Sequence, residues 1–312
     1  MGDLRAQVGQ LLIFGFDGTE PSARLRTAIG TIQPSGVILF ARNIVEPRQT
    51  WELLKEVRGL STAPMFRCVD MEGGTVDRLK AVIAPAAAAA DVFATGRKKL
   101  FRQHGRLIGE ECRALGFNVD FAPVLDLGLE PSRKVLASRA VSASPKETVA
   151  YAKGFLKGLG DAHILGCGKH FPGLGEANLY THHELPAITK KEKRLWSEDL
   201  YPYRKLRKEL PFVMVAHAAY PDVTCDRTPA SISRKWIADI LRTKIGYRGL
   251  VISDDLEMGG VLAAGSIEHA AIETLRAGAD LFLVCHKEEH VWATYRAVLK
   301  EAERDQRFAA LV

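Results

Sequence analysis

Lys169 and His170 stand side by side at the end of the short apolar run 164–168 and open a glycine-bearing stretch that reaches His182. No helical or strand period runs between the two histidines. An ammonium and an imidazole at a strand end, followed by an aperiodic loop with a second imidazole, can stabilise charge and move protons. Further ionisable groups follow other apolar runs. Asp70 follows 65–69, with Glu72 and Arg78 just beyond. Asp126 and Arg139 follow 118–122, His217 follows 212–216, and Asp254-Asp255 follow 250–253. The interiors of these runs are apolar, so the polar groups gather at one end of five of them.

Each group also has a plainer reading. Asp70 can cap the Gly73-Gly74 turn, Arg139 can be a structural ion pair, and His217 can be a satisfied core imidazole. Asp126 reads as structural more readily than as catalytic. Adjacent strand residues point to opposite faces, so Lys169 and His170 share one side only if the strand end is bent. Asp254 and Asp255 carry the same ambiguity.

The positioning elements are legible as eight apolar runs: 11–16, 36–40, 65–69, 118–122, 164–169, 212–216, 250–253 and 280–284. Helix-like periodicity fills 24–30, 47–58, 97–115, 146–158, 192–208, 233–243, 267–277 and 286–303. Alternating β and α units predict a parallel sheet, and eight of them predict an α/β fold closed as a single (β/α)₈ TIM barrel over residues 1–312. A doubly wound open sheet is the alternative, because strand order is not written in the pattern. In such a barrel the site lies at the C-terminal strand ends, where the ionisable residues fall. The alanine-rich stretch 84–90 reads as a buried segment leading into a helix.

At 312 residues and 47% hydrophobic composition the chain can fill such a core. The net charge of +6 is spread out. The short clusters Lys98-Lys99, Lys190-Lys191 and Lys193-Arg194 read as solvated helix faces, and no nucleic-acid partner is expected. No apolar stretch approaches a membrane span, and the first residues carry no signal-peptide core. Five scattered cysteines without CxxC spacing predict neither disulfides nor zinc, in keeping with a reducing cytoplasm. His286 and His290 read as a solvated helix face. With no HExxH, dinucleotide or P-loop pattern, neither metal nor cofactor is expected, and the chain is expected to be a monomer. A pocket of Asp, Arg, Lys and His suits a neutral ligand with many hydroxyls, such as a sugar.

Several motifs in order resemble glycoside hydrolase family 3. They are Val69-Asp70-Met71-Glu72-Gly73-Gly74, Phe121-Ala122-Pro123-Val124-Leu125-Asp126, Lys169-His170-Phe171-Pro172-Gly173, Ala216-His217 and Ser253-Asp254-Asp255-Leu256-Glu257-Met258. The chain is similar in particular to the family's single-domain bacterial β-N-acetylglucosaminidases of peptidoglycan recycling. The resemblance implies a retaining mechanism with Asp254 as nucleophile. It implies that Asp70, Arg78, Arg139, Lys169 and His170 hold the terminal sugar, with His217 and Met258 in the substrate-binding set. Met258, in its Ser-Asp-Asp-Leu-x-Met context, sides with N-acetylglucosaminidases over β-glucosidases. His182 falls on the position of the general acid/base.

The match departs at Tyr180, where the family places the aspartate that partners this histidine. Leu174 likewise stands for a histidine, and Thr75 occupies a place often held by arginine. Tyrosine brings no negative charge near neutral pH, so His182 is expected to have a lower pKa and a looser orientation. General acid–base catalysis is worth about 10²–10⁴-fold, on the order of 3–5 kcal/mol, and part of this is expected to be lost unless Glu176, His183 or Glu184 substitutes. The expectation is a slow glycosidase acting on a small carbohydrate. The alternatives are a sugar-binding barrel with a sensor or sequestering role, and a phosphorylase or transglycosidase variant.

Overall fold

A computed structural model of the chain describes residues 3–177 and 185–312. The expected apolar runs form eight strands: β1 (Leu12–Gly15), β2 (Gly36–Leu39), β3 (Phe66–Val69), β4 (Val119–Asp120), β5 (Leu165–Phe171), β6 (Phe212–Val215), β7 (Leu250–Asp255) and β8 (Leu281–Val284). Each pairs in parallel with its neighbours, and β1 pairs with β8 through Leu12↔Phe282 and Phe14↔Val284, closing the barrel. The open-sheet alternative is thereby excluded.

Side chains alternate between two cores, as the pleat requires. Ile13, Ile38, Cys68, Val119, Cys167, Phe212, Ile252 and Leu283 fill the barrel interior. Their outward neighbours, such as Leu12, Phe14, Val37, Val69 and Phe282, pack under the helices. Phe212 meets Phe66 edge-on at 5.2 Å inside the barrel. Truncating the fully buried Phe212 to alanine would cost about 3–5 kcal/mol. Cys68, Cys167 and Cys285 serve as small apolar fillers here, and all five cysteines are free.

The helices follow the amphipathic stretches, with α1 at Ala23–Ile32 capped by Ser22. The expected helix 192–208 is divided into Glu192–Ser197 and Leu200–Leu206, and the last long helix runs Glu288–Arg304, leaving His286 ahead of it. One element had no forecast: a hairpin directly after β3, with Met71–Gly73 antiparallel to Val76–Asp77. Asp120, buried at the end of β4, supports it by accepting from the Met71 N–H at 2.9 Å. The 84–90 segment covers it from outside, and a Cβ at Gly73 (φ +80°) would stand 2.1 Å from the Ala87 carbonyl oxygen. Glycine is required there by both the backbone and the lid above it. Among the described residues no helix is long and apolar enough to cross a membrane.

Candidate active site

The C-terminal ends of the strands surround a cavity of about 220 Å³. Asp70, Arg78, Arg139, Lys169, His170, Asp254 and Met258, all expected from the sequence, line it together with Glu72.

Glu72, brought in by the hairpin, is the buried centre of the cationic wall. It accepts from Lys169 Nζ at 2.6 Å and takes the Arg139 guanidinium with both oxygens, at 2.8 and 2.9 Å. Burial alone would raise its pKa, but Lys169 and Arg139 hold it far below the usual carboxylate range. Lys169 also reaches Asp70 at 2.8 Å, and Arg78 lies 3.9 Å from the same carboxylate. Burial opposes charge on Lys169 and on Arg139, yet the surrounding carboxylates keep both pKa values above their ordinary ones. The wall is therefore charged, ordered and largely dry, which strengthens each of its bonds to a ligand.

Both Lys169 and His170 face this cavity. Strand β5 is irregular where they sit: its register against β6 shifts between Gly168 and Phe171, and the Lys169–His170 peptide is cis. Asp126 explains the orientation of His170. Its carboxylate accepts from His170 Nδ1 at 2.7 Å and from the Leu174 N–H at 2.8 Å, fixing the ring and the start of the following loop together. The Arg139 Nη2 lies 3.4 Å from His170 Nε2. Arginine only donates, so the neutral ring carries its proton on Nδ1 and accepts at Nε2.

Asp254 leaves the end of β7 with part of its surface open to the cavity. Burial pushes its pKa up, but the neighbouring imidazoles, the Asp255 N–H at 2.9 Å and Lys169 together bring it below the ordinary value. His217 is itself held towards the neutral form by burial, so the Asp255 N–H and Lys169 of the cationic wall keep Asp254 charged. An ionised carboxylate fixed by its own backbone and aimed into a cavity of donors is suited to nucleophilic attack.

His217 occupies a different position from the one expected of a substrate ligand. Its ring is fully buried and does not line the cavity. Nε2 donates to the Asp255 carbonyl at 2.9 Å, which leaves Nδ1 to accept from the Ser231 hydroxyl at 2.7 Å. Both nitrogens are spent on the protein, so the geometry gives His217 a part in holding the Asp254–Asp255 backbone. His286 and His290 are likewise no idle helix face. His290 Nδ1 meets Glu257 at 2.7 Å, and His286 Nε2 lies 3.3 Å from Asp255.

His182 and Tyr180 lie outside the described residues. Glu176, just before them, is engaged by Arg194 at 3.1 Å and by Lys190 at 3.5 Å. The fully buried Lys190 also binds Glu198 and Asp199, so it is a buried ion-pair hub rather than part of a solvated face. Among the described residues no three His, Cys, Asp or Glu side chains converge as a metal site.

The whole chain can be placed among known proteins. The glycosyl hydrolase family 3 N-terminal domain matches residues 3–310, and the chain belongs to that family. It is 37% identical over 292 residues to a β-hexosaminidase of Alkalilimnicola ehrlichii, covering 91% of this chain and 83% of that one. A family 3 β-N-acetylglucosaminidase from Paenibacillus sp. superposes with a TM-score of 0.95 at 32% identity. That match takes in 100% of this chain and 61% of the longer Paenibacillus chain. NagZ from Neisseria gonorrhoeae, solved in complex with N-trifluoroacetyl-D-glucosamine, superposes with a TM-score of 0.84 at 28% identity, covering 97% and 95% of the two chains.

Proposed function

We propose that this protein is a retaining glycoside hydrolase that removes terminal β-linked N-acetylglucosamine from muropeptide-like or chito-oligosaccharide substrates. The observation that carries this reading is the placement of the ionised Asp254 on the same cavity wall as Asp70, Lys169, His170 and Arg139. Those residues present charged donors and acceptors to the hydroxyls of a terminal ring, and fixing the ring presents its anomeric carbon to the carboxylate. Arg78 supplies a further donor. Met258 lines the cavity next to Asp254, where its thioether suits the methyl of an acetamido group.

In the first step an Asp254 oxygen forms a bond to the anomeric carbon. The bond to the leaving oxygen breaks, and that oxygen takes a proton from His182. In the second step water attacks the same carbon, its proton returns to His182, and the Asp254 carboxylate is released. Tyr180 supplies no anionic partner for His182, and Glu176 is already bound to two cations. The acid step is accordingly the slow one for substrates with poor leaving groups. A role in recycling cell-wall fragments in the cytoplasm is part of the same proposal.

Trapping with a 5-fluorinated N-acetylglucosaminyl fluoride tests the reading. Peptide mapping is expected to find the sugar on Asp254. A label elsewhere would overturn Asp254 as the nucleophile, and tight binding without any covalent adduct would leave the sugar-binding alternative standing.

A further inference from the structure

A second cavity of about 220 Å³ opens over the ends of β1 and β8, and His286 lines both it and the catalytic cavity. Its floor is apolar, from Phe14, Leu25 and Val291, while Arg24 and Glu288 stand at its polar rim. An apolar base with a few polar groups at the edge is the make-up of a small-molecule subsite.

The wall between the cavities is fixed rather than loose. Arg42 Nη1 lies 3.3 Å from His286 Nδ1. Arginine only donates, so Nδ1 accepts and the ring proton on Nε2 faces Asp255 at 3.3 Å. Glu257 receives the main-chain N–H of His286 and that of Lys287. Asp255 and Glu257 lie within three residues of Asp254, so His286 is held in a set position relative to the carboxylate that attacks. Both polar edges of the imidazole are occupied, yet the side chain is 52% exposed. One face of the ring lies against Phe40, with centroids 5.4 Å apart, so what it offers a ligand is the opposite flat, which suits the C–H face of a pyranose.

We infer that this second cavity is a leaving-group subsite, with the first leaving sugar crossing the open face of His286 and the next unit lying at the rim between Arg24 and Glu288. The ligand class is a β-linked oligosaccharide whose leaving group is larger than one pyranose ring. Arg24 and Glu288 meet the hydroxyls or amide of that second unit. The assignment rests on the glycosidase reading of the Asp254 cavity.

The test compares kcat/KM for chitotriose with that for 4-nitrophenyl N-acetyl-β-glucosaminide, whose leaving group ends before the second cavity. In the doubly substituted Arg24→Ala, Glu288→Ala protein, altered only at two exposed positions, the ratio is expected to fall about tenfold. An unchanged ratio would overturn the assignment. A second measurement separates this from failure of the chemistry: calorimetric binding of chitotriose to Asp254→Asn, with and without His286→Ala and the rim substitutions. Weaker binding in those variants supports the subsite even if the wild type cleaves neither substrate. Binding indifferent to all three changes refutes it, whatever the turnover.

Discussion

Glu72 accepts from Lys169 Nζ at 2.6 Å while its two oxygens hold the Arg139 guanidinium, so one carboxylate from the hairpin fixes cations contributed by two distant segments. Without it Arg139 loses the carboxylate that holds its guanidinium, and Lys169 retains only Asp70. Removing one member of a buried ionic set leaves the others uncompensated, at about 3–5 kcal/mol. Glu72→Gln is therefore expected to lower kcat/KM by about 10²-fold or more and to lower Tm as well. Glu72→Asp, which keeps the charge but shortens the reach, should recover part of the loss. Steady-state kinetics and thermal melts of both variants check this; wild-type kcat/KM in Glu72→Gln would end the argument.

The Ser231–His217–Asp255 chain makes a separate prediction. Without the Ser231 hydroxyl, buried Nδ1 of His217 loses its donor, and the tautomer that holds the Asp255 carbonyl is no longer enforced. Ser231→Ala is expected to reduce kcat about tenfold with KM changed less than twofold, because the defect lies in aiming Asp254 and not in holding sugar. Ser231→Thr, which retains the hydroxyl, should rescue much of it. A rise in KM at constant kcat would instead return His217 to the sugar-binding set.

Tyr180→Asp restores the carboxylate that the family places beside the acid/base histidine. The gain should be confined to poor leaving groups: several-fold in kcat/KM on chito-oligosaccharides, little on dinitrophenyl glycosides, whose departure needs no proton. The descending basic limb of the pH profile should also move upward, since a nearby anion favours the protonated ring. Running both proteins with and without inorganic phosphate tells hydrolysis from phosphorolysis. No change in leaving-group dependence would mean that another residue donates the proton.

Glu111 supplies a pH signature of stability away from the site. Burial, and then the nearby Asp77, raise its pKa to about 7, and its Oε2 is buried with no hydrogen-bond partner among the described residues. A carboxyl whose folded value is raised keeps its proton in the folded state after the unfolded chain has lost it. Stability then falls as pH rises from about 4.3 towards the folded value. Glu111→Gln removes this titration, so its Tm should hold steady across that window while the wild type declines. Parallel curves for the two proteins would show that Glu111 carries no such cost.

The barrel was legible because each strand is a compact apolar run and each helix keeps its period, signals that survive without tertiary context. The hairpin at 71–77 was not, since its two strands are too short to show alternation and are held by Asp120, 49 residues from Met71. Glu72 sat in a recognised motif, but nothing in its spacing marks the partners 67 and 97 positions away. His217 appeared in the right place for the wrong reason: a strand-end imidazole looks the same in sequence whether it faces a ligand or its own backbone. His286 and His290 misled in the opposite direction, because the one-turn spacing that suggested a solvent-facing pair hides the carboxylates of the β7 end that bind them. The Lys169–His170 pair turned on a register shift that no pattern of residue types encodes.

Arg42 donates to the Phe16 carbonyl at the end of the first strand and to the Cys285 carbonyl at the end of the last, at 3.3 and 2.6 Å. Its guanidinium is thus the clasp where a linear polypeptide becomes a ring, and the same clasp orients His286 at the cavity rim. Completing the circle and shaping the entrance are a single event in this molecule. A nascent chain that has not yet laid down its eighth strand has neither.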